Sequence, residues 1–234
     1  MIISGLQKMT LLDYPGRVAC TVFLQGCNFR CPFCHNSRML TGNPAPVMET
    51  EAFFGFLKSR RGLLDGVCVS GGEPTLRPEL PDFLVRIKEM GFSVKLDTNG
   101  SRPEILKDLV ARGLIDHVAM DVKNSPARYA ETVGTHVDLS AIEESLRFLI
   151  EGTVSYELRT TLVQPLHDAA SIQDMGQWIA HLVPGKLPRQ LYLQRFVDRE
   201  TVLFSGLSAP EEEVVLRFAD ILSPFAHKVA IRGE

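Results

Sequence analysis

Apolar residues recur along this chain in two alternating rhythms. Short runs rich in β-branched and aromatic residues predict strands over 17–25, 66–70, 92–97, 117–122, 156–163, 190–196 and 227–231. Between them, apolar positions spaced three and four apart predict helices over 49–61, 79–90, 102–112, 139–151, 170–182 and 211–222. Strands alternating with helices of this length are βα units, which build a parallel sheet with helices packed against it. Six or seven such units fall short of the closed eightfold barrel and its typical length of about 250 residues. The expectation is therefore an α/β fold, an open, partial TIM-like (β/α)6 barrel, with a doubly wound sheet as the alternative. No linker, repeat or shift in composition divides the chain, so residues 1–234 read as one domain.

The polar residues show which strand ends matter. Cys27 onward, Ser70-Gly71-Gly72-Glu73, Asp97-Thr98-Asn99-Gly100 and Asp121-Val122-Lys123 all stand at or just beyond the C-terminal ends of predicted strands. In parallel α/β architectures that edge carries the active site. A net charge of -3 and a pI near 6.1 give no global basic field, so neither nucleic acid nor a membrane surface is an expected partner. No signal peptide is visible and no apolar run nears the ~18 residues of a membrane span, so a cytoplasmic location is expected, where thiols stay reduced. Cysteine usage then becomes informative. Of the 5 cysteines, Cys27, Cys31 and Cys34 cluster, while Cys20 and Cys68 alternate with apolar neighbours as core residues do. An odd, clustered set reads as metal ligation rather than disulfides.

The cluster has the spacing Cys-x3-Cys-x2-Cys. Three thiolates are one fewer than closes a cubane iron–sulfur cluster or a tetrahedral zinc site, leaving an open position of the kind a catalytic metal needs. A structural zinc completed by His35, or three buried apolar thiols, are the competing readings; adjacent Cys34 and His35 would bind one ion awkwardly, and the loop's polar neighbours argue against simple burial. The other constellations also have two readings each. Gly71 and Gly72 permit close backbone approach to a ligand and Glu73 can accept from an ammonium group, or the string is only a turn. Asp97-Thr98-Asn99-Gly100 is a rim site or an Asn-Gly turn. Asp121 and Lys123 serve a ligand or pair with each other. Arg159, inside an apolar strand, needs a partner, either a ligand carboxylate or Asp121.

Cys27, Cys31 and Cys34, with an aromatic at Phe33, resemble the signature of radical S-adenosylmethionine (SAM) enzymes. The string Cys31-Pro32-Phe33-Cys34-His35-Asn36 resembles the version in glycyl-radical-enzyme activases. Gly5-Leu6-Gln7-Lys8 and Leu11-Leu12-Asp13-Tyr14-Pro15-Gly16 are similar to the activating proteins of anaerobic ribonucleoside-triphosphate reductase. The resemblance covers about residues 5–159. It implies a radical SAM type of barrel and a [4Fe-4S] cluster on the three cysteines. It implies SAM contacts from Phe33, His35, Gly71, Gly72, Glu73, Asn99, Lys123 and Arg159, with Gln194 standing where pyruvate formate-lyase activases close the site with a His. It also implies a monovalent cation held by Asp97 and Asp121 beside the SAM carboxylate. The implied activity is reductive cleavage of SAM and formation of a glycyl radical on a partner enzyme, foremost the anaerobic reductase, with a flavodoxin or ferredoxin-type electron donor. Other partners include pyruvate formate-lyase or a further glycyl-radical enzyme. A small-molecule radical SAM enzyme and, outside catalysis, a zinc-binding interaction module are the alternatives. The βα core uses almost every residue, so the rim is expected to stay open, which suits a polypeptide substrate.

Overall fold

A computed structural model of the chain describes residues 1–40, 46–202 and 204–232. Its strands are β1 (Ile3–Thr10), β2 (Ala19–Leu24), β3 (Gly66–Gly71), β4 (Ser93–Thr98), β5 (His117–Asp121), β6 (Ser155–Leu162), β7 (Leu191–Arg195) and β8 (Val229–Arg232). They follow one another in chain order across one 8-stranded sheet. A doubly wound sheet would reverse its order at a switch point. Sequential order, with β2, β3 and β4 parallel and β6, β7 and β8 parallel, is instead the winding of an open (β/α) barrel.

The helices are α1 (Thr50–Ser59), α2 (Leu80–Glu89), α3 (Pro103–Ala111), α4 (Pro126–Val133), α5 (Leu139–Glu151), α6 (Ala169–Leu182) and α7 (Glu212–Leu222). Each periodic segment of the sequence thus folds as expected, with ends displaced by no more than two residues. Two elements lie outside the segments that periodicity predicts. β1 runs antiparallel to β2, with its middle half-buried to exposed rather than alternating, so period 2 never shows. α4 is only 8 residues long, started by Pro126 at its first turn and stopped by Gly134 in the left-handed region.

The chain folds as two compact units. The first comprises Met1–Asn28, Arg38–Thr98 and Glu104–Ala119. Its core joins Val22, Val67, Val69 and Leu96 of the strands to Phe53, Leu57, Phe83 and Ile87 of the helices, all fully or nearly buried. Phe53 and Phe83 stack with ring centroids 5.4 Å apart. The second comprises Phe29–Ser37, Asn99–Pro103 and Met120–Glu234, around Leu146, Leu158, Ile172, Met175, Leu193 and Phe218. Asp168 caps α6 through a reciprocal box with Ser171. Glu157, fully buried on β6, is neutralised by Arg232 of β8 through two hydrogen bonds of 2.8 and 2.7 Å. A buried carboxylate without such a partner would be strongly destabilising.

Candidate active site

In the first unit, parallel register pairs Leu24 of β2 with Gly71 of β3, so the chain leaving β2 toward Cys27 runs beside the Ser-Gly-Gly-Glu string. The Gly72 amide donates to the Leu24 carbonyl (2.9 Å) and the Glu73 amide to the Gly26 carbonyl (2.8 Å). A Cβ on Gly72 would lie 2.1 Å from the Gly26 oxygen, and Gly71 has φ +123° with the Leu24 backbone 2.3 Å from where its Cβ would stand. Only glycine fits either position. The glycine pair therefore presses main chain against the start of the cysteine loop.

Glu73 is 1% exposed and heads a 3-10 turn over Pro74–Leu76. One of its carboxylate oxygens accepts from the Thr75 amide (3.1 Å), the Thr75 hydroxyl and the Thr98 hydroxyl (2.8 Å). It orders its own turn before any ligand arrives. Ser70 reaches the next strand, its hydroxyl donating to Asp97 Oδ2 at 2.9 Å. The other Asp97 oxygen takes the ammonium of Lys95, whose side chain is 1% exposed.

In the second unit, the loop bearing Cys31 and Cys34 is tied down by the Arg30 amide on the Val133 carbonyl (2.8 Å) and the Cys34 amide on the Cys31 carbonyl (3.1 Å). Burial pushes both thiols above their ordinary pKa, while the Lys123 ammonium draws both back toward thiolate. Phe33 is buried beside them in sequence. His35 turns to the chain beyond β7, with Nε2 2.7 Å from the Val197 carbonyl and its ring stacked on Phe196. Burial lowers its pKa, so the neutral ring donates that hydrogen bond. The Ser37 hydroxyl donates to the Thr201 carbonyl in the same direction.

Asp121 closes β5 between two cations. Lys123 Nζ meets Oδ2 at 2.9 Å and Arg159 Nε meets Oδ1 at 2.9 Å. Burial alone would depress the Lys123 pKa, but Asp121 and Cys31 outweigh it and hold the ammonium charged. His167 braces this lysine, its Nε2 2.8 Å from the Lys123 carbonyl.

The structure thus brings Gly71, Gly72 and Glu73 onto the approach to Cys27 in one unit, and Cys31, Cys34, Asp121, Lys123 and Arg159 together in the other. The Asn99 side-chain oxygen accepts from the Ser101 amide at 3.0 Å. Gln194 stands on β7 opposite Thr161 of β6. Sequence reasoning missed Lys95, Thr75 and His167, and named Thr98 only as part of its rim string. Of these only Lys95 carried a signal, since residues two apart on a strand share a face and Lys95-Leu96-Asp97 places opposite charges together.

Among the described residues, no three His, Cys, Asp or Glu side chains come close enough together to hold a single metal ion. The description Radical SAM superfamily matches residues 21–175, which span the cysteine loop, the glycine string and both aspartates. The chain belongs to the radical SAM superfamily. Its relatives include activating enzymes of that superfamily, alongside members that carry other names, such as a probable GTP 3',8-cyclase of Thermococcus kodakarensis that is 30% identical over 71% of this chain and 56% of its own. A Methanocaldococcus jannaschii protein provisionally named as a glycyl-radical enzyme activating enzyme is 32% identical over 99% of this chain and 95% of its own. The pyruvate formate-lyase-activating enzyme of Clostridium pasteurianum is 34% identical over 52% of each chain. A solved domain of the pyruvate-formate lyase-activating enzyme from Bacteroides vulgatus superposes with a TM-score of 0.57 at 25% identity, covering 72% of this chain and 99% of that one. The family and the open α/β fold that the sequence implied both hold, and the non-catalytic zinc module gives way to an enzyme family.

Radical SAM enzymes work with a [4Fe-4S] cluster and SAM, and the donor set fits a cluster. A buried thiol, Cys31, and a half-buried one, Cys34, stand under the pull of a held ammonium, and bound iron would complete their conversion to thiolate. A monovalent cation fits less well. Both oxygens of Asp121 already face side-chain cations, and Asp97 has its own in Lys95.

Proposed function

We propose that this protein is an activating enzyme that carries a [4Fe-4S] cluster on Cys27, Cys31 and Cys34, binds SAM, and installs a glycyl radical on anaerobic ribonucleoside-triphosphate reductase. The observation that carries this reading is the Cys-x3-Cys-x2-Cys loop leaving a parallel strand, inside the residues that match the superfamily. The near full-length match to the M. jannaschii relative supports the activase class. The strings Gly5-Leu6-Gln7-Lys8 and Leu11 through Gly16 support the reductase as the partner. When bound, the cluster supplies the electron that cleaves SAM reductively.

The chain's own residues prepare that event. Lys123 offers a charge-assisted donor that Asp121 keeps in place, and a ligand carboxylate can share Lys123 or Arg159 with it. Gly71 and Gly72 let main chain rather than side chain face a ligand. Glu73, loaded by two threonines, presents a fixed carboxylate for an ammonium group. A flavodoxin or ferredoxin-type donor in the cytoplasm provides the electron. No helix among the described residues is long and apolar enough to cross a membrane.

Anaerobic reconstitution with iron and sulfide tests the cofactor. Wild-type protein is expected to take up about four irons per chain, and Cys27→Ala, Cys31→Ala and Cys34→Ala each to lose that uptake. Unchanged iron content in the variants would sink the reading. Incubation with SAM, a reductant and the anaerobic reductase is then expected to give the EPR doublet of a glycyl radical. A doublet with pyruvate formate-lyase and none with the reductase would keep the activase and replace its partner.

A further inference from the structure

Lys95 is the least expected charge in the molecule. It lies in the middle of β4, between Val94 and Leu96, which are fully buried, and its own side chain is 1% exposed. Its register partner is Cys68 of β3, with Sγ 3.8 Å from Nζ. An ammonium in such a place persists only beside an anion. Asp97, two residues on and on the same strand face, supplies it, and that carboxylate is completed by the Ser70 hydroxyl at 2.9 Å.

We propose that the Lys95 ammonium is the resident counter-cation of Asp97, so that this carboxylate works without a dissociable sodium or potassium ion. The charge balance carries the argument. One carboxylate and one ammonium sum to zero, and both are fixed in the strand that presents them. An alkali ion on Asp97 would sit within a few ångströms of the buried ammonium, and that repulsion would weaken its binding by roughly two to three powers of ten. The second aspartate is supplied independently, by Lys123 and Arg159 within its own unit. Lys95 is thus a positioning residue. It holds Asp97 oriented at the strand end, in the role that a bound alkali ion would otherwise fill.

The proposal rests on the SAM-binding reading above, and its test separates the two. Holoenzyme is measured in potassium, sodium and tetramethylammonium chloride at equal ionic strength, recording SAM affinity and the midpoint of thermal unfolding. Wild type is expected to bind SAM within about twofold in all three salts, with coincident midpoints. Lys95→Met, which keeps the length and removes the charge, is expected to lose about tenfold in SAM affinity in tetramethylammonium and to regain it in potassium or sodium. A wild-type affinity that rises about tenfold with either alkali ion would overturn the proposal, as would a midpoint that rises with it. If SAM binds in none of the salts, the reading of the site fails instead, and the wild-type midpoints still decide the cation question. The wild-type series stands alone if Lys95→Met does not fold.

Discussion

Asp97 is the penultimate residue of β4 and Asp121 the last of β5, and each is paired with a lysine two residues away. The lysines stand on opposite sides of their partners. Lys95 precedes Asp97 and lies back inside the strand, at 1% exposure, whereas Lys123 follows Asp121 and lies beyond the strand end, at 15%. The inner lysine meets Asp97 and the Cys68 sulfur and is a fixed part of the fold. The outer lysine is poised between Asp121 and the cysteine loop, where Cys31 feels its charge. The same two residue types, in reversed order, give a pair locked inside the strand in one unit and a more open pair beyond the strand end in the other.

The largest expected effect tests the outer pair. Lys123→Met should cut glycyl-radical formation about 100-fold, the scale of losing one charged group aimed at a reacting ligand. Stability should fall little, because Asp121 keeps Arg159. An activity within about threefold of wild type would mean that Lys123 serves the fold and not the ligand. Next in size, Asp97→Asn should destabilise the protein by about 3 kcal/mol in urea unfolding, because it strands a buried ammonium. Asp121→Asn should cost less than half as much, since its lysine and arginine keep some access to water. Equal losses would erase the distinction.

The smallest effect is one of pH. The Lys123 pKa is raised in the folded protein, by Asp121 and Cys31 against the opposing pull of burial. Its stabilisation is therefore complete below the unfolded lysine value of about 10.4 and is lost only as pH rises through the higher folded value. The stability difference between wild type and Lys123→Met should stay constant from about pH 7 to pH 10 and shrink above that. A difference that has vanished by about pH 9 would show that the ammonium is not held charged.

The comparison also marks what the sequence could tell. Periodicity placed β2 to β8 and six of the helices, because burial on one face enforces it; β1 escaped because its middle is half-buried to exposed, and α4 because it is only 8 residues long between Pro126 and Gly134. The cysteine spacing was legible because ligands on one loop must be near in sequence. Lys95 with Asp97 was legible in principle from strand alternation alone. The clasp of His35 on Val197 was not, since 162 residues separate them and only the folded chain brings a carbonyl to that ring. Nor could the threonines around Glu73 be foreseen, because Thr98 reaches it from another strand.

The fork between Glu157 and Arg232 has a consequence for how the protein is made. The carboxylate is committed to the interior of β6, but the guanidinium that neutralises it lies 75 residues later. At about 5–20 residues per second, several seconds of synthesis separate the two. Until Arg232 leaves the ribosome, the second unit must leave Glu157 in water or bury it protonated. In the first unit the buried Lys95 finds Asp97 only two residues on, so that pair is complete as soon as β4 is made.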